Sequence, residues 1–133
     1  MLNSLRKLLT SDSPRQYIRR WQRILMSEPA RIVSENGETV PAMLNQLSAG
    51  GARVRLAKRL RLGDVVRVEF SIGVAGHRGV TAMVVHVVKE ERGYQWLCGL
   101  CFTDVDPRGD RHIAHFVEEE QRRRQTGFAM PRA

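Results

Sequence analysis

The chain has 133 residues, with 22 Lys+Arg against 14 Asp+Glu, a formal net charge of +8 and 42% hydrophobic residues. That length suits a single domain, and the apolar content is enough for one small core, which argues against wholesale disorder. No run approaches the roughly 18 apolar residues of a membrane span, and two cysteines, Cys98 and Cys101, are too few to build a disulfide scaffold of this size.

The first 31 residues hold seven basic side chains (Arg6, Lys7, Arg15, Arg19, Arg20, Arg23, Arg31) against Asp12 and Glu28, whereas residues 32–117 hold eleven basic against nine acidic. The excess therefore lies in the N-terminal segment, and it is mostly arginine. Guanidinium forks match phosphate oxygens two at a time, so the segment suits a phosphate-bearing partner. A solvated basic tail has the same composition. In Met-Leu-Asn-Ser-Leu-Arg-Lys-Leu-Leu-Thr the charges follow the apolar residues and no cleavage site comes after, so no signal peptide is expected and the expected compartment is the cytoplasm.

Leu2, Leu5, Leu8 and Leu9 have helical spacing, which predicts a short amphipathic helix over residues 1–10. It could pack on the body, pair with another copy or touch a membrane surface. With only Arg6 and Lys7 charged, stable membrane anchoring is not expected. Ser11-Asp12-Ser13-Pro14 breaks the helix, and residues 15–23, with Tyr17, Ile18 and Trp21 between arginines, read as an arm rather than core. Residues 1–18 are thus expected to form the arm, 19–125 a domain and 126–133 a frayed tail.

From about residue 29 the pattern is that of strands. Ala30–Ser34 is followed by Asn36-Gly37, a pair that favours a tight hairpin turn through positive φ. Thr39–Leu47 returns, with Pro41 marking an edge or a bulge. Ser48-Ala49-Gly50-Gly51 turns the chain into Ala52–Leu56, where Val54 faces one way and Arg53 and Arg55 the other. After Gly63-Asp64, Val65–Ile72 sets Val66, Val68, Phe70 and Ile72 on one side. A glycine-rich loop over 73–79 leads to Val80–Lys89, and Glu90–Gly93 turns into Tyr94–Phe102. Six short strands at these spacings predict an all-β, closed or nearly closed antiparallel barrel. Asp106-Pro107 reads as a helix start. Ile113, Phe116 and Val117 then predict a C-terminal helix over about 107–124 that lays this stripe on the barrel.

The chemical motifs are few. Cys98 and Cys101 have CxxC spacing, but within a strand their thiols point to opposite faces, and zinc would need two more ligands. His112 and His115 share a helix face without converging acidic or histidine partners. His86, set among valines, reads as partly buried. There is no nucleophile elbow, P-loop or dinucleotide fingerprint, and Asp104, Asp106 and Asp110 read as capping and turn residues. A binding domain is expected, not an enzyme, and no metal or cofactor.

Two segments stand out in order. Arg19-Arg20-Trp21-Gln22-Arg23 has R-x-x-x-R spacing, and about 25 residues later Gln46-Leu47-Ser48-Ala49-Gly50-Gly51 runs from a strand end into a turn. The pairing resembles the PilZ domain family, marked by R-x-x-x-R followed by [D/N]-x-S-x-x-G. The likeness covers about residues 19–120 and includes Gly-Ala-Arg-Val-Arg-Leu after the second motif and Gly-Leu-Cys-Phe-Thr-Asp near the end. It implies a six-stranded PilZ-like β-barrel with a C-terminal α-helix that binds cyclic di-GMP through Arg19, Arg20, Arg23, Gln46, Ser48, Gly50 and Gly51. The arginines would meet phosphates or the guanine O6/N7 edge. Ser48 would meet a base edge, and Gly50 and Gly51 would give positive φ and close approach.

Gln46 departs from the family's Asp/Asn. A carboxylate there accepts guanine N1–H and N2–H together, whereas Gln offers one acceptor oxygen on a longer stem. Asn45 is adjacent, but in a regular strand it faces the other way. Two functional readings follow from the resemblance. One is a receptor that orders its arginine arm on cyclic di-GMP and signals to an unidentified effector protein. The other is an interaction module that has lost the nucleotide. Nucleic-acid binding is disfavoured, because the body is nearly neutral and Tyr94, Trp96 and Phe102 form no evident stacking platform with basic neighbours.

Overall fold

The computed structural model describes residues 22–73, 76–91, 93, 95–105 and 109–129, with side chains as far as residue 126. Six strands and one helix follow in order: β1 (Arg23–Val33), β2 (Thr39–Ser48), β3 (Gly51–Leu56), β4 (Val65–Ser71), β5 (His77–Lys89), β6 (Trp96–Phe102) and α1 (Arg111–Ala129). Neighbouring strands are antiparallel in the order β1-β2-β3-β6-β5-β4, and β4 pairs back onto β1, so the sheet closes into a barrel without a free edge.

Alternation along the strands builds the interior. Ile32, Leu44, Val54, Leu56, Val68, Val84 and Cys98 are each no more than 2% exposed. Val66, Val68, Phe70 and Ile72 all turn inward, as their period-2 spacing predicts. Leu60, in the β3–β4 loop, is buried with this cluster, and the loop is tied to β5 by Gly63 N–H to Val84 O (2.8 Å) and Val84 N–H to Asp64 O (2.9 Å). Pro41 pairs with Arg31 of β1 just before the β2–β3 ladder begins at Ala42, so its missing N–H falls where no β3 partner waits. On α1, Ile113 and Val117 are fully buried and Phe116 packs against the core.

Several expectations are corrected. β1 starts at Arg23 rather than near residue 30, so Arg23 belongs to the barrel and not to a loose arm; β2, running to Ser48, supplies ladder partners that the polar residues of β1 do not advertise. The β1–β2 connection is a five-residue loop closed by Val33 and Thr39, in which Gly37 alone takes positive φ (87°), while Asn36 uses its side-chain oxygen to accept the Glu38 N–H (3.0 Å). The strand β5 begins at His77, within the expected loop, and β6 at Trp96. The helix begins at Arg111 and is capped by Asp110, whose carboxylate accepts the Ile113 N–H (3.0 Å). It runs on to Ala129, past the expected frayed boundary. His86 is exposed, because the β5–β6 register breaks between Val84 and His86, where Val84 is buried and Val87 packs on the core. The expected helix over residues 1–10, Tyr94 and Asp106-Pro107 lie outside the described residues.

Asp110 does more than cap. Its side chain is 6% exposed and pairs with the Arg78 guanidinium at the start of β5, joining α1 to the barrel mouth. Asp110→Ala removes both the cap and the partner of a half-buried cation. Urea unfolding is expected to show a loss of about 2–4 kcal/mol, well above that of a surface Asp→Ala change.

Candidate functional site

The second motif forms the β2–β3 turn. Ser48 and Gly51 face each other across it, with Ala49 and Gly50 at the tip. The Ser48 hydroxyl accepts the Gly51 N–H (3.1 Å) and the Gly50 N–H (3.3 Å) and donates to the Gly51 carbonyl (3.3 Å). Its one donor and both lone pairs are engaged within the turn, so Ser48, 4% exposed, shapes this corner. One strand end and the start of α1 seize the same tip. Phe102 N–H donates to Gly50 O (2.9 Å), and Asp110 N–H donates to Ala49 O (2.9 Å). Gly109, at φ 88°, presses so close that a Cβ on it would lie 2.7 Å from the Ala49 Cβ.

Neither Gly50 nor Gly51 has positive φ, which corrects the conformational role expected for them. Gly51 is required by proximity instead. A methyl group on it would collide with the Leu100 carbonyl oxygen of β6. Backbone oxygen cannot swing aside as a side chain can, so Gly51→Ala is expected to cost about 1–3 kcal/mol in thermal or urea unfolding.

The first motif meets the second through strand register. Arg23 stands opposite Ser48, and Leu25 opposite Gln46, on the outer face of β1 and β2, because Ile24 and Leu47 between them point inward. Arg23 is exposed, and its carbonyl accepts a hydrogen bond from Gln121 Nε2 of α1 (3.3 Å). The helix therefore touches the site at both ends, at Ala49 and at Arg23. Arg19 and Arg20 lie outside the described residues.

The expectation for Asn45 needs a second correction. A bulge between Leu44 and Gln46 breaks the β2–β3 register, and Leu44 and Leu47 are both fully buried. Asn45 and Gln46 are then both half-buried on the outer side. The rule that neighbours in a strand face opposite ways fails at a bulge. Asn45, set aside on that rule, therefore lies beside Gln46 as a second amide at the site. No sequence signal marks this bulge except the i, i+3 spacing of two leucines in an otherwise alternating strand.

Across β3 the row continues. Gln46 is opposite Arg53, Arg53 opposite Gly99 of β6, and Gly99 opposite His86 of β5. A second row beside it runs from Arg23 and Ser48 through Gly51 to Cys101. Cys98 is buried in the core and Cys101 half-buried on the other face, as strand spacing predicts. Burial raises the pKa of both thiols, for Cys98 against a smaller lowering by a backbone hydrogen bond from Leu60. Neither is primed as a nucleophile. Trp96 has two basic neighbours. Arg59 lies 5.1 Å and Lys89 6.0 Å from its ring centroid, while Phe102 is buried in the core. Those cations cover the indole rather than leave it as an open stacking face.

A cavity of about 370 Å³ opens at the start of α1, lined by residues including Arg78, Asp104, Asp110 and His112. It contains none of the motif residues, and the Arg78–Asp110 ion pair forms part of its wall. His112 and His115 are exposed on α1, and among the described residues no three His, Cys, Asp or Glu side chains converge as a metal would need. No helix among the described residues is long and apolar enough to cross a membrane.

Comparison with solved structures finds the same barrel repeatedly. The inhibitor of motility MotI/DgrA of Bacillus subtilis matches with a TM-score of 0.64 at 17% identity, over 77% of this chain and 50% of that one. YcgR of Escherichia coli in complex with c-di-GMP matches with a TM-score of 0.68 at 20% identity, over 83% of this chain and 49% of that one. The PilZ domain of YcgR with c-di-GMP matches with a TM-score of 0.60 at 19% identity, over 80% and 96%. At these identities the likeness is one of fold, and this chain spans about half the length of the first two. No curated protein sequence matches. A family model described as the PilZ domain matches residues 17–119, a stretch that takes in both arginine and glycine motifs and all six strands: the chain belongs to the PilZ domain family.

Proposed function

We propose that this chain is a cytoplasmic receptor domain for cyclic di-GMP that orders its arginine-rich N-terminal segment over the ligand and passes that ordering to a partner protein. The observation that carries the reading is the β1–β2 register, in which the last arginine of the first motif stands opposite the serine of the second. The ligand is a dianion with two flat, hydrogen-bonding bases. Arg23 at the strand start, with Arg19 and Arg20 just before it in the sequence, supplies guanidinium forks for phosphate or for a guanine edge. The Ser48–Gly51 corner is buried and holds β2 in register beside Arg23, with no side chain on Gly50 or Gly51 to stand between that arginine and the ligand. Ser48 acts by holding that corner. The solved YcgR structures, which contain c-di-GMP, share this fold.

Coupling to a partner has a route in α1. The helix is bonded to the Ala49 carbonyl at its start and to the Arg23 carbonyl further along. A ligand that pulls on Arg23 or on the turn therefore loads the helix. The exposed Glu118, Glu119, Arg122 and Arg123 offer a charged outer face for a protein contact.

Gln46 favours a second reading, an interaction module without nucleotide, because one amide oxygen replaces a carboxylate that could take two guanine N–H groups. Calorimetric titration separates the two. Cyclic di-GMP is expected to bind the purified chain, and Arg23→Ala to abolish the heat signal; heat equal to buffer at ligand concentrations up to about 100 µM rejects the receptor reading. Gln46→Asp is expected to tighten binding about ten- to a hundredfold, the value of one restored charge-assisted base contact. Tight binding by that variant with none by the native chain would mark an intact barrel with a decayed site.

A further inference from the structure

Among the described residues four large apolar side chains are exposed, and three of them follow one another along the wall from the start of β4 to the far half of β5: Leu62 (67%), Val65 (39%) and Val88 (42%). Leu62 is held in place there. It sits on a turn closed by Asp64 N–H to Arg61 O, in which Gly63 takes positive φ, and the turn is bonded to Val84 through the Gly63 N–H and the Asp64 carbonyl. Val65 stands opposite Met83 of β5. Ala82 and Val84, on either side of Met83, belong to the core, so Met83 points outward. It is buried all the same, at 7% exposed, and takes no part in the core cluster. Val85, at the β5 bulge, is half-buried and also outside that cluster. Leu62, Val65, Met83 and Val85 thus form an apolar strip on the outer wall. Carboxylates stand at its ends: exposed Asp64 beside Val65, and exposed Asp104, which accepts a hydrogen bond from the Thr81 hydroxyl (3.4 Å) two residues before Met83.

Residues 1–10 carry the complement. Leu2, Leu5, Leu8 and Leu9 have the spacing of one helical face, with Arg6 and Lys7 beside it. The reach is sufficient. Strand register places the strip five steps from Arg23, through Ser48, Gly51, Cys101 and Met83 to Val65, about 24 Å around the wall. Residues 11–22 span up to about 40 Å when extended. A tether of this length holds the leucines at roughly millimolar concentration over their own barrel, far above that of a second copy in dilute solution. An apolar contact too weak to join two molecules is then occupied within one.

We infer that residues 1–10 dock on their own barrel, with the leucine face against the Leu62–Val65–Met83–Val85 strip and with Arg6 and Lys7 toward Asp64 and Asp104. The inference goes beyond the receptor reading and needs no ligand. It has one consequence for the arm. Residues 11–22 return from the strip to Arg23 across the row of Cys101, Gly51 and Ser48, so the segment that carries Arg15, Arg19 and Arg20 is tied at both ends.

The test uses the full chain without ligand. Leu8→p-benzoylphenylalanine is irradiated, and the adduct is mapped by mass spectrometry. The expected adduct lies within one chain, on Leu62–Val65 or Met83–Val85, and is lost when Val65→Asp is added. Val65 is partly exposed on the outer wall, so that variant is expected to melt with the native chain. Independently, Leu5→Ser with Leu8→Ser is expected to move the amide resonances of Val65 and Met83 and to leave those of Ile32 and Val54 in the core unmoved. Adducts elsewhere on the barrel overturn the inference, and so do unmoved Val65 and Met83 resonances in the double variant. Adducts of dimer mass overturn it in favour of a second copy, and an adduct pattern seen only with anionic vesicles overturns it in favour of a membrane surface. A failure of cyclic di-GMP to bind leaves these results as they are, so the two readings fall separately.

Discussion

The backbone groups of the Ser48–Gly51 turn are held from three directions, and the remainder of the molecule is arranged to reach them. The turn's own serine takes its two free N–H groups, β6 donates to Gly50 O through Phe102, and the start of α1 donates to Ala49 O through Asp110. Buried backbone polar groups must be paired somewhere, and here the pairing draws a strand end and a helix end onto one four-residue corner. Two glycines allow it by absence of side chain. Gly51 lets β3 lie against the Leu100 carbonyl, and Gly109 lets the helix start sit on Ala49. The corner is thus rigid for structural reasons before any ligand is considered, and a rigid corner is what a close-approaching ligand requires.

The helix makes that corner consequential. Ile113 and Val117 anchor α1 by burial, Asp110 caps it and pairs with Arg78, and Gln121 reaches the Arg23 carbonyl. One element therefore touches the turn that carries the second motif and the strand start that carries the last residue of the first. Elements joined in this way respond as a unit, because displacing one end strains the hydrogen bond at the other.

The bulges show how core packing sets surface chemistry. Two leucines spaced three apart in β2, and two valines spaced three apart in β5, can all face the core only if the chain gains an extra residue between them. The cost is a locally interrupted ladder. The consequence is a pair of outward amides and an outward imidazole on either side of Arg53 and Gly99. The interior demand for apolar contact and the exterior display of polar groups are one geometric event.

Much was fixed by the sequence. Period-2 patterning in residues 52–56, 65–72 and 80–84 determines inward faces locally, so six strands, a barrel and a closing helix with Ile113, Phe116 and Val117 against it were legible, and two short motifs sufficed to indicate the family. Where patterning is local, reading it needs no knowledge of partners. The start of β1 was not legible, because Arg23 to Pro29 carry almost no apolar alternation and become a strand only by pairing with β2. The helix cap was readable in Asp110 as a residue type but not in position, since the start of α1 is chosen by the Ala49 and Arg78 contacts. The side on which Asn45 emerges and the exposure of His86 were misread, because a bulge depends on what two strands must bury together. Residue type and spacing told what chemistry the chain carries; strand pairing decided which of those groups share a face.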